Sequence, residues 1–282
     1  MAEDIKALRK RIKSFDSTLH LTGAMGLVAS SKMRKATDAM LEGRKYLSSI
    51  EKIITDLSKC ADCKKTVYFK DDKDESEAVT KLIVIAGDRG LCGGYNANVF
   101  RMVRDMGNAD IIPIGKRAFG RYGHSDLSDF DTEDEISFDS SEHYSYERAY
   151  EIASELISEF KEGKIDRVGI VYNKYVTIMT QEPQVKWILP LTRPGDDEHE
   201  KGIFEPEPTA LLEDIVPIYF AGVLYALVKE SFACEVAARR MAMDSATKNA
   251  TEMIDNLQLQ YNRVRQGKIT QEITEIVAGA GR

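Results

Sequence analysis

From Ile5 onward the chain sets an apolar or small residue at alternating steps of three and four: Ile5, Leu8, Ile12, Phe15, Leu19, Thr22, Gly26, Ala29, Met33, Ala36, Met40, Gly43, Leu47, Ile50, Ile54, Leu57. The alternation runs unbroken for more than seven heptads. A period near 3.5 is a coiled-coil seam and imposes left-handed supercoiling. An ordinary amphipathic surface helix has a wider apolar face and is shorter. Thr22, Gly26, Ala29, Ala36 and Gly43 keep the middle of the seam thin, so a partner backbone can approach closely. Gly23, Gly26 and Gly43 each cost about 1 kcal/mol of helix propensity relative to alanine, which packing must offset.

The other end of the chain supplies the partner. From about Thr209 to Arg282 the only proline is Pro217, and Ala, Met, Glu, Lys, Gln and Leu abound. Thr209 is the expected cap, after Pro206 and Pro208, and Glu213 and Asp214 suit the positive end of a helix dipole. One helix of about 70 residues would span on the order of 105 Å, against roughly 40–50 Å for a compact globule of this mass. Its seam is less regular: Phe232, Val236, Arg239, Met243, Ala246, Ala250, Met253, Leu257. The phase shifts again before Ile269, Ile273 and Ile276. With a folded segment between them, the two terminal helices are expected to pair antiparallel. From about Arg265 the longer one should continue alone, and an unpaired apolar helix is unstable in water unless another protein surrounds it.

The expected organisation is therefore an N-terminal coiled-coil helix over 1–60, an α/β domain over 77–205 and a C-terminal coiled-coil helix over 209–282. Within the insert, Lys81–Ala86 reads as a strand buried on both faces. A helix follows from about Asn96 to Met106, a strand over Ile111–Ile114, and helices over Lys116–Tyr122 and Tyr144–Lys161. Arg167–Tyr172 and Tyr175–Gln181 read as a hairpin turned at Asn173-Lys174, with a further extended piece over Val185–Leu191. Strands alternating with helices define a three-layer α/β domain.

The formal net charge is −7, with 30% charged residues. No apolar run reaches the roughly eighteen residues of a membrane span, and the N-terminus lacks a signal peptide's apolar core. Glu3 and Asp4 are unlike a transit peptide. Four cysteines, Cys60, Cys63, Cys92 and Cys234, are too few for a disulfide framework at this length and fit a reducing cytoplasm. Cys60-Ala-Asp-Cys63 has no second pair or neighbouring histidines to complete a zinc site; a redox pair, or simply two thiols at the end of the first helix, are the other readings. Residues 1–52 carry eleven Lys/Arg against six Asp/Glu, with Lys32, Arg34 and Lys35 clustered on the thin part of the seam. With no aromatics beside them and an acidic total, they indicate a protein partner bearing carboxylates rather than nucleic acid. Asp126, Asp129, Asp131, Glu133, Asp134, Glu135, Asp139 and Glu142 form an acidic run whose spacing matches no EF-hand loop, and it reads as a solvated loop.

Gly87-Asp88-Arg89-Gly90-Leu91-Cys92-Gly93-Gly94-Tyr95-Asn96 follows the first strand, where a doubly wound fold binds a phosphate. It carries neither a P-loop nor a G-x-G-x-x-G in register. None of His20, His124, His143 and His199 stands in a catalytic signature with Cys92. A tight turn whose glycines let backbone pack against a neighbour is the plainer reading. No cofactor or metal site is expected.

Met25-Gly26-Leu27-Val28-Ala29-Ser30-Ser31-Lys32-Met33-Arg34-Lys35-Ala36 resembles the N-terminal signature of the F-type ATP synthase gamma subunit family. Gly87–Asn96 is similar to that family's Asp-Arg-Gly-Leu-Cys-Gly-Gly segment. Ala237–Ala250, Leu257–Arg263 and Arg265 to Val277 resemble its C-terminal signature, in the right order along the chain. Family members usually carry a basic residue at the position of Gly23 and alanine at that of Gly267. The acidic segment 126–142 lies outside what the resemblance matches, and the long cysteine-bearing insertion of chloroplast forms is missing.

The resemblance implies a coiled coil inside a hexamer of alternating alpha and beta subunits, its bare tip in an apolar bearing. The α/β domain would form a foot on a membrane ring of c subunits, clasped by the epsilon subunit, at the cytoplasmic face of the cell membrane. Catalysis would lie on beta, and the chain itself would not be an enzyme. The resemblance further implies that Met25, Lys32, Arg34, Lys35, Arg239 and Arg240 face carboxylates of the catalytic subunits, and that Arg265, Gln266 and Thr270 make catch contacts near the tip. Two other readings of the residues are a nucleotide-binding enzyme with dimerising coiled-coil arms and a non-rotary scaffold using the coil as a tether.

Overall fold

The structure, a computed structural model, describes residues 2–69, 78–107, 109–123, 138–192, 205 and 207–280. Helix α1 spans Ala2–Ser58 and helix α5 spans Pro208–Ala280. Between them lie strand β1 (Thr80–Ile85), helix α2 (Tyr95–Asp105), strand β2 (Asp110–Ile114), helices α3 (Lys116–Tyr122) and α4 (Tyr146–Lys161), and strands β3 (Arg167–Tyr175) and β4 (Gln181–Leu189). The chain divides into two compact units, Met1–Ser31 with Arg239–Arg282, and Lys32–Ala238.

In the first unit the helix segments run antiparallel, as the seam requires. Thr247 Oγ1 donates to Thr22 Oγ1 at 2.9 Å, and Arg9 Nη2 donates to the Tyr261 hydroxyl at 2.9 Å. A Cβ on Gly26 would stand 3.6 Å from that of Met243, ordinary contact distance for a thin seam. Ile5, Leu8, Ile12, Phe15 and Leu19 are all half-buried while their neighbours on the other faces are exposed. The C-terminal seam departs from expectation at one point. Met253 is 49% exposed, and Ile254 takes the inward position. The step from Ala250 is four residues rather than three, because a helix of 3.6 residues per turn drifts off a strict heptad unless the pattern corrects it. Beyond Tyr261, Ile269, Ile273 and Ile276 are 43, 56 and 70% exposed.

In the second unit the sheet order is β2-β1-β3-β4, with β1 parallel to both β2 and β3, and β4 antiparallel to β3. Alternate residues of β1 go to opposite cores, as the pleat dictates. Leu82 and Val84 meet Val99 and Val103 of α2 and Ala118 of α3. Ile83 and Ile85 join a larger core with α4, the end of α1 from Leu47 to Leu57, and α5 from Leu212 to Val228. That makes three layers, with the sheet in the middle. One stretch of α5 is apolar and long enough by composition to cross a membrane, and most of it is buried within the molecule; it is the core helix of this unit. Within the unit α1 and α5 again pair antiparallel, Met33 with Val236 and Ala237, and Met40 with Ala233.

Two local expectations give way. Thr209 lies inside α5, which starts at Pro208, and Leu211 N bonds Glu207 O at 3.0 Å; proline suits the first helical position because it has no amide hydrogen to leave unpaired. The hairpin does not turn at Asn173-Lys174. Strand β3 continues through both to Tyr175, and the turn falls at 176–180, where Thr177 Oγ1 accepts from Met179 N and Thr180 N. Asn173 is held in the strand because its amide donates to Ser231 Oγ and its side chain to Tyr95 O.

Three elements meet at Glu213. Its Oε2 accepts from the Tyr68 hydroxyl at 2.8 Å and from Lys161 Nζ. Desolvation pushes this carboxyl up, yet the hydrogen bonds from Lys161 and Tyr68 outweigh it and hold it below its ordinary value. A depressed folded value means that the contribution is whole above the unfolded carboxylate range and is lost as pH falls through the folded one. Glu213→Gln is expected to flatten the acid limb of stability, measured as denaturation midpoints from neutral pH down through the carboxylate range. An unchanged limb would show that the partners add nothing.

Candidate functional site

The carboxyl ends of β1 and β3, where a doubly wound sheet offers its crevice, are filled by α5. A Cβ on Gly87 would lie 2.6 Å from the Glu235 carboxyl carbon, so the glycine permits a close approach that another residue would block. The Tyr95 hydroxyl donates to Ser231 O at 2.9 Å, and Cys234 Sγ donates to Asn173 O at 3.2 Å. Gly87 N donates to Asn96 Oδ1 at 2.9 Å. Leu91, 62% exposed, is held at φ 61, in the left-handed region that a side chain disfavours. The glycine-rich turn thus packs on a helix of its own chain, and a carboxylate stands where a bound phosphate would need amide donors.

Asp88 organises the next layer. Its carboxylate accepts from Lys116 N (3.1 Å), Ser140 Oγ (2.8 Å), Ser141 N and Oγ (3.3 and 3.2 Å) and Glu142 N (3.3 Å). Glu142 in turn pairs with Lys32 of α1. Asp139, also from the acidic run, takes Arg148 Nε at 3.0 and 3.1 Å. These two acidic residues therefore tie elements together instead of lying in a solvated loop. Asp126, Asp129, Asp131, Glu133, Asp134 and Glu135 lie outside the described residues, as do His124 and His199.

At the same carboxyl end of β3 an ion pair joins three elements. Arg44 of α1 donates from Nη2 to Glu230 Oε1 at 2.7 Å and from Nε to Oε2 at 3.3 Å. The same Nη2 donates to Tyr175 O at 2.7 Å, and Tyr175 N donates to Glu230 Oε1 at 2.9 Å. Hydrogen bonding to Glu230 raises the Arg44 pKa further still.

Beside α1 and α5 a cleft of about 420 Å³ is lined by Tyr46, Tyr146, Tyr225 and Lys229 over Gly43 and Gly222. Burial pushes the Lys229 pKa down, and its Nζ donates to Tyr144 O at 3.0 Å. All four cysteines are free thiols. Burial, then the neighbouring Cys60 thiol, pushes Cys63 up to about 12, which keeps it an unreactive thiol at neutral pH.

Among the contact residues expected from the resemblance, Met25, Arg239 and Arg240 are half-buried in the first unit. Arg265, Gln266 and Thr270 are exposed on the last turns of α5, where Thr270 Oγ1 donates to Gln266 O at 3.0 Å. In the second unit Arg34 and Lys35 are exposed, and Lys32 is half-buried against Glu142. The residues not anticipated are Asp88, Arg44 and Glu230. The signal for Glu230 was a pair of acids, Glu230 and Glu235, which with Lys229 are the charges in a largely apolar part of α5; a carboxylate in such a run needs a hidden partner.

In chain order a sheet-bearing segment stands between two long terminal helices, and the last of these ends in exposed Ile269, Ile273 and Ile276. The ATP synthase family model matches residues 4–281. The ATP synthase gamma chain of Ruminococcus albus is 40% identical over 283 residues, covering 97% of this chain and 96% of that one. The sodium-ion-specific ATP synthase gamma chain of Acetobacterium woodii is 38% identical, with 99% of each covered. Among solved structures, the Euglena gracilis mitochondrial ATP synthase (OSCP/F1/c-ring, rotational state 3) aligns with a TM-score of 0.64 at 20% identity, over 99% of this chain and 94% of that one. The central stalk/c-ring of the Tetrahymena thermophila enzyme gives 0.58 at 22% identity, over 80% and 99%. The chain belongs to the ATP synthase gamma-chain family.

Proposed function

We infer that this chain works as the central stalk of a rotary ATP synthase, turning within alpha and beta subunits and resting on the c-ring with the epsilon subunit. The near full-length identity to gamma chains carries this reading. The end of α5 supports it: Ile269, Ile273 and Ile276 are exposed and suit an apolar sleeve, since full burial of such a side chain is worth about 1.5–3 kcal/mol. In this reading the segment 77–205 is the foot, 1–60 and 209–282 form the rotating coil, and the complex sits peripherally on the cytoplasmic face of the cell membrane. Chemistry belongs to the beta subunits. The stalk biases each of them through contacts that differ between their open and closed states, since only a differential contact energy shifts such an equilibrium.

Met25, Arg34, Lys35, Arg239 and Arg240 are the proposed contacts to beta carboxylates, and Arg265, Gln266 and Thr270 the catch near the tip. Lys32 contributes less to a partner, because Glu142 already satisfies it. Exposed, screened ion pairs are worth only about 0–1 kcal/mol each, so the contacts act through where they occur in the cycle rather than through affinity. Charge reversal of both Arg239 and Arg240 is expected to change the turnover of the reconstituted complex. Unaltered hydrolysis and synthesis rates in that variant would remove them from the contact set. Co-purification with alpha and beta chains, read by mass spectrometry, tests the reading as a whole.

A further inference from the structure

Most of what joins the sheet to the two helices in the Lys32–Ala238 unit is apolar. Ile, Leu and Val side chains of α1, α5 and the strands share one core. Apolar packing holds surfaces together without preferring a direction. Interdigitated side chains resist separation and, through their shape, some of the rolling of a helix about its own axis. Hydrogen bonds, which weaken steeply off line, oppose that roll.

The strongest set of such bonds across these elements is the Arg44–Glu230–Tyr175 knot. Glu230 is 4% exposed on α5. Its carboxylate takes the Arg44 guanidinium in a forked pair, and the Tyr175 peptide is gripped on both sides, its amide by Glu230 and its carbonyl by Arg44. The strand that ends there, β3, is bonded to both β1 and β4, so whatever holds Tyr175 holds the sheet. One residue along α5, Ser231 adds bonds to Tyr95 and Asn173.

Stability alone gives little reason for this arrangement. Glu230 is buried while the Arg44 side chain keeps about two fifths of its exposure, so the carboxylate loses hydration that the solvent-screened attraction of the pair only partly repays, and apolar replacements of such pairs are often as stable. We propose that Arg44 and Glu230 are positioning residues for rotary coupling, locking the end of β3 to α1 and α5 so that twist on the helices is delivered to the sheet. The proposal rests on the central-stalk reading above.

The test uses the whole complex containing this chain, reconstituted in lipid vesicles, with ATP hydrolysis and ATP-driven ion uptake followed together. In Arg44→Met/Glu230→Leu, which keeps the volume and removes the directional bonds, thermal stability is expected to fall modestly, because the Tyr175 amide loses its acceptor. Ions taken up per ATP should fall roughly fivefold or more, the low end of a coupling between distant sites, while hydrolysis stays within about twofold. Arg44→Lys, which keeps the charge but not the fork, should give a smaller fall in the same ratio. Should the double variant not assemble, Arg44→Lys alone decides. An uptake-to-hydrolysis ratio equal to that of the parent overturns the proposal. So does a ratio that drops only in proportion to lost stability and recovers on cooling. A parent complex that never takes up ions refutes the stalk reading instead.

Discussion

Gly115→Ala is expected to destabilise the sheet unit by roughly 3 kcal/mol or more, a backbone strain of about 1–3 kcal/mol plus a clash. Gly115 stands between β2 and α3 at φ 93, and a Cβ there would lie 2.0 Å from the carbonyl oxygen of Ala86. That carbonyl belongs to the chain leaving β1 and cannot swing aside, since Ala86 N bonds Ile114 O and Gly87 O accepts from Arg117 N. Gly115 N also donates to Asp139 O at 2.7 Å, so a shift would pull on the segment that carries Glu142. Gly107→Ala is the matched control. It too has positive φ, 84, but nothing lies within 4 Å of the added carbon, and it should cost only about 1 kcal/mol. Urea midpoints of the two variants separate strain from collision. Equal losses would show that the crossing relaxes and that close approach is not what requires glycine at 115.

Asp88→Ala is expected to cost about 3 kcal/mol, since hydrogen bonds to a charged group contribute roughly 1.5–3 kcal/mol each but are not additive. Its carboxylate serves three amides and two hydroxyls. Ser141 is 1% exposed, so its donors would be left buried without an acceptor. Asp88→Asn, which keeps an acceptor but no charge, should lose about half as much. A further consequence reaches α1: once residues 140–142 loosen, Glu142 no longer holds Lys32. A loss below about 1 kcal/mol for Asp88→Ala, from denaturant midpoints, would mean that water substitutes for the carboxylate.

What could be read in the sequence was whatever repeats. The alternation from Ile5 to Leu57 requires a partner helix whatever lies between, and the inward residues are those the spacing names. Short apolar runs located β1 and β2, because a strand covered on both faces has no polar alternation to blur it. Errors arose where one polar residue carries two possible local meanings. Asn173-Lys174 has turn chemistry, but Tyr95 and Ser231 supply the partners that keep Asn173 extended, and both are distant in the chain. Glu142 reads as part of a solvated acidic run until Lys32, 110 residues away, is beside it. Glu230 meets Arg44 across 186 residues. No local period carries information over that separation. The contact residues named from the resemblance are a different case: Arg34, Lys35, Arg265, Gln266 and Thr270 are exposed, Met25, Lys32, Arg239 and Arg240 are half-buried, and the partners proposed for them are other chains.

In the first unit, Ile5, Leu8, Ile12, Phe15 and Leu19 share one feature: each is covered on one side only. Two helices alone cannot enclose a stripe, so the amides of this segment should open at low free energy and exchange with solvent quickly in the isolated subunit. In the central-stalk reading proposed above, assembly supplies the missing side, and deuterium uptake there would then slow far more than in β1. The least protected backbone in the free chain would become a gauge of how completely its housing has closed around it.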